Sequence, residues 1–313
     1  MYGFIAKRLL ATIPVMGVVA VVVFLLLRLS PGDPAAVLAG DAGSPEDVHR
    51  IRVALGLDRP IHTQFVIWIG QLARGDLGTS IISNIPVTRM ISQRLEPTAA
   101  LAVTTILFAV LVSVPMGVLA AWHHGTWVDR AVMAFSVIGF SVPVFVLGYL
   151  WIYGLAMSLK WLPVQGYVSI SQGVWPFAQR LILPTLTLSV IYVALIARIT
   201  RASVLEVMGE DYIRTAHAKG VADRRLLIRH ALANAAVPIV TVIGLGVALL
   251  IGGVVVTESV FNLPGLGRLT VDAVLARDYP IIQGLILIFS SVYVLLNLVI
   301  DIAYTLLDPR IRY

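Results

Sequence analysis

Catalysis by side chains needs nucleophiles, bases or phosphate-binding groups at fixed spacings, and this 313-residue chain holds few of them. It has no cysteine, which removes thiolate catalysis, disulfides and Cys-based metal sites. An ATP-hydrolysing phosphate loop needs Gly-Lys followed by Ser or Thr, because that lysine must reach the phosphates. The three lysines are Lys7, Lys160 and Lys219, and none follows a glycine. The six histidines, His49, His62, His123, His124, His217 and His230, fall in segments that read as loops. Adjacent His123 and His124 also lack the one-face spacing of helical metal ligands. No paired carboxylates stand inside an apolar stretch where they could do acid–base work. The chain reads as a non-enzyme with no cofactor or metal of its own, and any nucleotide energy would come from another subunit.

The elements that must position whatever function is left are membrane spans. Hydrophobic residues make up 58% of the chain and charged residues 13%, about half the charge of a soluble domain. Six stretches are long and apolar enough to cross a bilayer: 9–29, 98–121, 132–155, 181–197, 238–257 and 281–300. Only the first carries a charge, Arg28, in its last turn, where it can snorkel to the headgroups. That run is about 20 residues, longer than a signal-peptide core, and reads as a retained helix. With the N-terminus inside, the internal segments hold Lys7, Arg8, Arg130, Arg198, Arg201, Arg214, Lys219, Arg224, Arg225, Arg229, Arg310 and Arg312. The short external loops hold only Lys160, Arg180, Arg268 and Arg277. Both termini are therefore predicted cytoplasmic. The net charge of +6 reads as topology rather than as a nucleic-acid footprint.

Two loops are too organised to be linkers. In the external loop 30–97, Ser44 with Pro45, Glu46 and Asp47 has the signature of a capped helix start, and Gly56 its stop. Ile61, Phe65, Trp68, Ile69 and Leu72 keep helical spacing up to Gly75, and a third short helix is predicted from Pro86 toward the second span. These helices either pack on the membrane surface or form a cap that meets a partner or guards a pore mouth. In the loop 198–236, Asp211, Tyr212, Ile213, Arg214, Thr215, Ala216, His217, Ala218 and Lys219 read as a short helix, acidic at its start and basic at its end, stopped by Gly220. Asp223 is placed as the cap of a second, basic helix feeding the fifth span. A short helix held between two spans suits the transmission of motion from a cytoplasmic protein, though basic cytoplasmic loops are general. Gly244, Gly246, Gly252 and Gly253 allow close helix approach in the fifth span. Thr241, Ser290, Ser291 and Asn297 are candidates to line a water-filled route, and each could equally bond its own backbone. Ion coupling would place ionisable residues at the midplane, and the spans as read hold none. Asp301, near the end of the sixth span, reads as an end anchor.

Motifs along nearly the whole chain carry a family resemblance: Arg28-Leu29-Ser30-Pro31-Gly32-Asp33-Pro34, Leu55-Gly56-Leu57-Asp58-Arg59-Pro60, Gly75-Asp76-Leu77-Gly78-Thr79-Ser80, the run from Glu258 to Arg268, Arg277-Asp278-Tyr279-Pro280, and Asp308-Pro309-Arg310-Ile311-Arg312-Tyr313. The chain resembles the permease subunits of bacterial binding-protein-dependent ABC importers of the dipeptide, oligopeptide and nickel class, in particular the B-type subunit. Asp211 to Gly220 looks like that class's version of the permease signature centred on Glu-Ala-Ala and a later glycine. Here Arg214, Thr215, Ala216 and Gly220 stand at those positions, so the glutamate is absent.

The resemblance implies an all-α integral membrane protein of type I importer architecture, with six transmembrane helices, a helical periplasmic loop and a cytoplasmic coupling helix at 211–220. Three regions follow: 1–29 with the first span, the periplasmic loop 30–97, and a permease core 98–313 containing the coupling loop 198–236. It also implies partners: a second related permease, two cytoplasmic ATPases that bind ATP and magnesium, and a periplasmic solute-binding protein, all at a bacterial inner membrane. Peptides are the expected solute, with nickel, opines or glutathione as alternatives; spans without His or Cys argue against nickel. The rivals are an ion-coupled secondary transporter or channel, an intramembrane hydrolase, and a non-transporting membrane anchor.

Overall fold

The computed structural model describes residues 2–29, 34–39, 44–54 and 56–307. Of the motifs above, Ser30, Pro31, Gly32, Asp33, Leu55 and the ending from Asp308 to Tyr313 lie outside the described residues, as does the side chain of Arg28. The regular elements among the described residues are helices, with one isolated bridge between Thr79 and Pro86.

Helices α1 (Tyr2–Leu29), α2 (Pro34–Ala39), α3 (Pro45–Ala54) and α4 (Ile61–Ala73) come first. The start of α3 is a reciprocal capping box: the Asp47 amide donates to Ser44 Oγ and the Ser44 amide to Asp47 Oδ2, each at 3.2 Å. Its stop is Gly56 at φ +67°, where the Leu57 amide reaches the Arg52 carbonyl and the Gly56 amide the Val53 carbonyl. Gly75, at φ +77°, ends α4 with the same pair of bonds.

The predicted third external helix does not exist as a separate element. Helix α5 (Val87–Trp122) runs without a break from that segment through the second span, passing Pro97 and Pro115. No glycine stop intervenes between Leu95 and Thr98, and a lone proline removes only one helical hydrogen bond.

The predicted continuous third span, 132–155, is corrected too. It is two helices, α6 (Trp127–Ser141) and α7 (Val144–Trp151), bent by 103°, with α7 continuing into a π-helical turn over Ile152–Ser158. Pro143 has no N–H for the Gly139 carbonyl and forces Val142 into extended backbone, φ −91° and ψ 121°. Hydropathy is blind to that, because proline interrupts geometry without adding charge.

Next come α8 (Val174–Met208), α9 (Asp211–Ala218), α10 (Asp223–Arg225) leading into a π-helical segment Leu226–Leu232, α11 (Ala236–Val260), α12 (Leu266–Leu275) and α13 (Tyr279–Leu307). The fourth helix of the membrane set thus extends beyond 181–197 at both ends and carries Arg198 and Arg201 within it. Five helices contain stretches long and apolar enough to cross a membrane, and the bent pair is the sixth candidate. Asp129, at the start of α6, meets Arg201 near the end of α8 and His124 just after α5. Beyond α7, the Gly166 amide reaches the Phe261 carbonyl (3.1 Å) at the far end of α11, and Tyr167 reaches Glu96 in the first third of α5. The bent pair therefore connects opposite ends of the bundle and counts as one pass.

The chain divides into two compact units. The larger comprises Met1–Ala6, Glu96–Arg268 and Tyr293–Tyr313. Its main core packs Leu101 of α5, Leu183, Leu188 and Tyr192 of α8, and Leu250 and Val254 of α11. Close approach of α8 and α11 depends on glycine: a Cβ at Gly253 would lie 2.7 Å from Leu188, and one at Gly246 3.3 Å from Tyr192. Gly244 receives Ile300 in the same way, whereas Gly252 faces open space. A second cluster, Val118, Ala121, Val204, Ala231, Ala235 and Ile239, sits at the α9 end.

The smaller unit comprises Lys7–Leu95 and Leu269–Val292. Phe24 of α1 packs edge-on against Phe65 of α4 at 5.1 Å, with Trp68 at 5.6 Å. Gln283 of α13 donates to the Val23 carbonyl at 3.2 Å.

Candidate functional site

The segment 209–235 hangs between two long apolar helices and shows most of its side chains. Helix α9 is seated by one residue, Ile213, which is 3% exposed. It packs on the end of α8 and on the π-helical segment 226–232. Asp211, Tyr212, Arg214, Thr215, His217, Ala218, Lys219 and Gly220 are exposed, and Ala216 is half-buried. Gly220 adopts φ +77°, with the Val221 amide on the Ala216 carbonyl (3.2 Å) and the Gly220 amide on the His217 carbonyl (2.9 Å). Nothing lies within 4 Å of where a Cβ would stand. The glycine is needed for its backbone angle, and the space around it is open. Burial first, and then Glu210, push the Tyr212 phenol above its ordinary range.

The expected cap at Asp223 is displaced by one residue. Ala222 occupies the cap position without a side-chain bond, and Asp223 is the first helical residue, 3.5 Å from His217 Nε2. An acid inside the first turn still favours the helix N-terminus through the macrodipole.

At the same end, Asp129 is buried and fully engaged. It accepts from Arg201 Nε and Nη2, from the Gly125 amide at 3.0 Å, and faces His124 Nδ1 at 3.1 Å. The pair ties α6 to α8 just above α9. Reading the sequence missed Asp129, although it is the sole acid between Glu96 and Glu206.

Arg198 does not behave as a loop cation. One turn inward of Arg201, it is exposed, and its guanidinium turns away from the α9 end to lie 5.5 Å from the centre of the Phe140 ring. Among the described residues no carboxylate pairs with it. A cation–π contact contributes about 0.5 to 2 kcal/mol. That is less than the roughly 2.5 to 3.5 kcal/mol for an arginine at the centre of a lipid-facing helix.

Three of the four candidate lining residues bond their own helix. Thr241 donates to the Val237 carbonyl, Ser291 to Leu287 and Asn297 to Tyr293, each four residues back on its own helix. Ser290 is half-buried on α13. Among the described residues no cluster of three or more His, Asp or Glu is arranged to hold a metal ion.

Two motifs, one in each unit, build structure. Glu258, fully buried, accepts from Thr98 Oγ1 at 2.5 Å and from the Arg268 amide at 2.9 Å, while the Leu266 amide donates to Thr98 Oγ1 at 2.7 Å. The start of α12 is thereby held on a buried acidic side chain. In the smaller unit, Asp278 accepts from Ser80 Oγ at 2.5 Å and from the Ile81 amide at 3.3 Å, so the Gly75–Ser80 and Arg277–Pro280 motifs meet.

Residues 113–313 match the family described as binding-protein-dependent transport system inner membrane component, and residues 1–102 match the N-terminal family of the same membrane components. A probable peptide ABC transporter permease protein of Sinorhizobium fredii is 57% identical over 99% of both chains. A putative peptide transport system permease protein of Brucella abortus is 45% identical over the whole of both. A glutathione transport system permease protein of Salmonella choleraesuis is 44% identical, again over the whole of both. Among solved structures, the inward-facing MetNI methionine ABC transporter aligns with a TM-score of 0.57 at 17% identity, covering 70% of this chain and 96% of that one. At that identity the likeness is one of fold.

Proposed function

Because the chain belongs to the binding-protein-dependent transport system inner membrane components, we propose that it forms half of an ATP-driven import pathway for peptides. Peptide is favoured by the names of the S. fredii and B. abortus relatives; glutathione, the solute named for the Salmonella relative, is itself a modified tripeptide. Opines and nickel are the remaining alternatives, and an ion-coupled carrier is the rival mechanism.

The observation that carries the reading is α9. It is a two-turn helix seated by Ile213, closed by Gly220 and otherwise presented outward, which suits docking in a groove of an ATPase. In this reading Asp211 to Gly220 is the coupling helix, both termini are cytoplasmic, and the membrane is the bacterial inner membrane. The partners are a second related permease, two ATPases that bind ATP and magnesium, and a binding protein on the other side. Within the larger unit, Thr241 and Asn297 are the candidates for the pathway wall.

Displacement of α9 is passed to the π-helical segment, which shares a core cluster with α5, α8 and α11 through Ala231, Val204 and Ile239. ATP binding at one end and solute delivery at the other would bias one two-state element, the condition for coupling. Reconstitution of the complete complex in liposomes tests this. Peptide should accumulate only with ATP and loaded binding protein. Accumulation driven by an ion gradient without ATPase subunits would establish the rival mechanism instead.

A further inference from the structure

Helix α8 carries its own ruler. Arg180 donates to the Gln165 carbonyl at one end and Arg201 binds Asp129 at the other. The 21 residue steps from one to the other span about 31 Å of helix, one hydrocarbon thickness. Arg198 falls inside that interval, and it reaches inward rather than outward to the headgroups as a snorkelling arginine does. Phe140, over which it lies, stands about 16 Å along α6 from Asp129.

A second observation coincides with it. Directly after Phe140, α6 breaks at Val142 and Pro143, leaving the Gly139 carbonyl without its helical donor beside an exposed Ser141. Broken backbone at membrane depth is tolerated where it is buried in protein or borders a water-filled cavity, and Phe140 is 42% exposed. An inward-turned, uncompensated cation requires the same surroundings.

We propose that Arg198, Phe140 and the broken end of α6 at Ser141 form a carboxylate-binding station on the aqueous translocation route, taking the C-terminal carboxylate of a passing peptide. The inference rests on the peptide reading above. A guanidinium is suited to this task because it receives both carboxylate oxygens, whereas a neighbouring aromatic face tolerates any side chain. Exposure keeps the contact weak, as a station in a pathway must be if solute is to leave.

The test uses the complete complex in liposomes, with one binding protein throughout, and compares uptake of trialanine with trialanine amide. Discrimination by the binding protein cancels when wild type and variants are compared. Arg198→Gln should lower acid uptake about tenfold relative to the amide. Arg198→Lys should restore part of the ratio, and ATPase stimulation by loaded binding protein should stay within about twofold of wild type, well below that loss. An unchanged acid-to-amide ratio in Arg198→Gln, or equal loss of both, overturns the station and leaves the peptide reading intact. Absence of peptide uptake by wild type overturns both. Because the native chain has no cysteine, Arg198→Cys adds a transport-independent arm. A water-soluble thiosulfonate should modify it in the assembled complex, and an inert thiol, whether lipid-facing or covered by the second permease, overturns the proposal.

Discussion

A methyl group at Gly265 would collide with the Glu258 carboxylate, since an ideal Cβ falls 2.0 Å from Oε1 and 2.2 Å from Cδ. The carboxylate cannot retreat without releasing Thr98 and the Arg268 amide. Gly265→Ala is expected to destabilise the chain by about 3 kcal/mol. In detergent its apparent Tm should fall by about 5 °C or more. Gly252→Ala, with nothing within 4 Å, should leave the Tm unchanged or slightly raised. Equal melting of the two variants would show that the Glu258 clasp is unimportant. Asp129→Asn should cost about 3 kcal/mol, because it leaves the Arg201 guanidinium without its counter-charge in a nearly buried site. Adding Arg201→Gln should recover part of that loss, and strictly additive losses would argue against the pair. None of these residues could be ranked from sequence, where Glu258 and Asp129 are two acids among seventeen.

Helix α9 stops at a residue whose backbone is left-handed, and that alone fixes a graded series at Gly220. Gly220→Ala should cost about 1 kcal/mol in local strain and Gly220→Asn less, because asparagine tolerates that region. Gly220→Glu adds a charge in the open space beside the helix and should separate ATP hydrolysis from uptake in the reconstituted complex. Normal uptake together with solute-stimulated hydrolysis in Gly220→Glu would remove α9 from the coupling role. The bent pair α6–α7 makes a second prediction. Pro143→Ala returns an N–H to the Gly139 carbonyl and lowers the cost of a continuous helix by about 3 kcal/mol. If the break serves the pathway, uptake should fall several-fold with assembly unchanged, and wild-type uptake would show the kink to be passive. The capped start of α3 and the glycine stops of α3, α4 and α9 were legible because capping is local chemistry. The break at Pro143 and the fusion of the Pro86 segment into α5 were not, because apolar composition does not distinguish one long helix from two.

For the whole chain, the excess of basic residues in alternate loops predicts that both termini are cytoplasmic. Green fluorescent protein fused to either end should fluoresce and alkaline phosphatase should be inactive; the opposite pattern at either end would invert the orientation. The number of passes, the membrane class, the lack of a phosphate loop and the short helix at 211–218 were all determined by the sequence. Hydropathy, capping and local motif spacing act over at most a few tens of residues. Tertiary structure alone decided which residues distant in the chain meet. It brings Asp129 to Arg201, Glu258 to Thr98 and Ser80 to Asp278, contacts separated by 72, 160 and 198 positions. It also turned Arg198 from a boundary charge into one held over Phe140, since helix phase and the bend of a neighbouring span set where a long side chain can go. Sequence periodicity specifies which face of a helix is apolar, but the opposing surface is supplied by packing, and the chemistry of a pathway lies in that pairing.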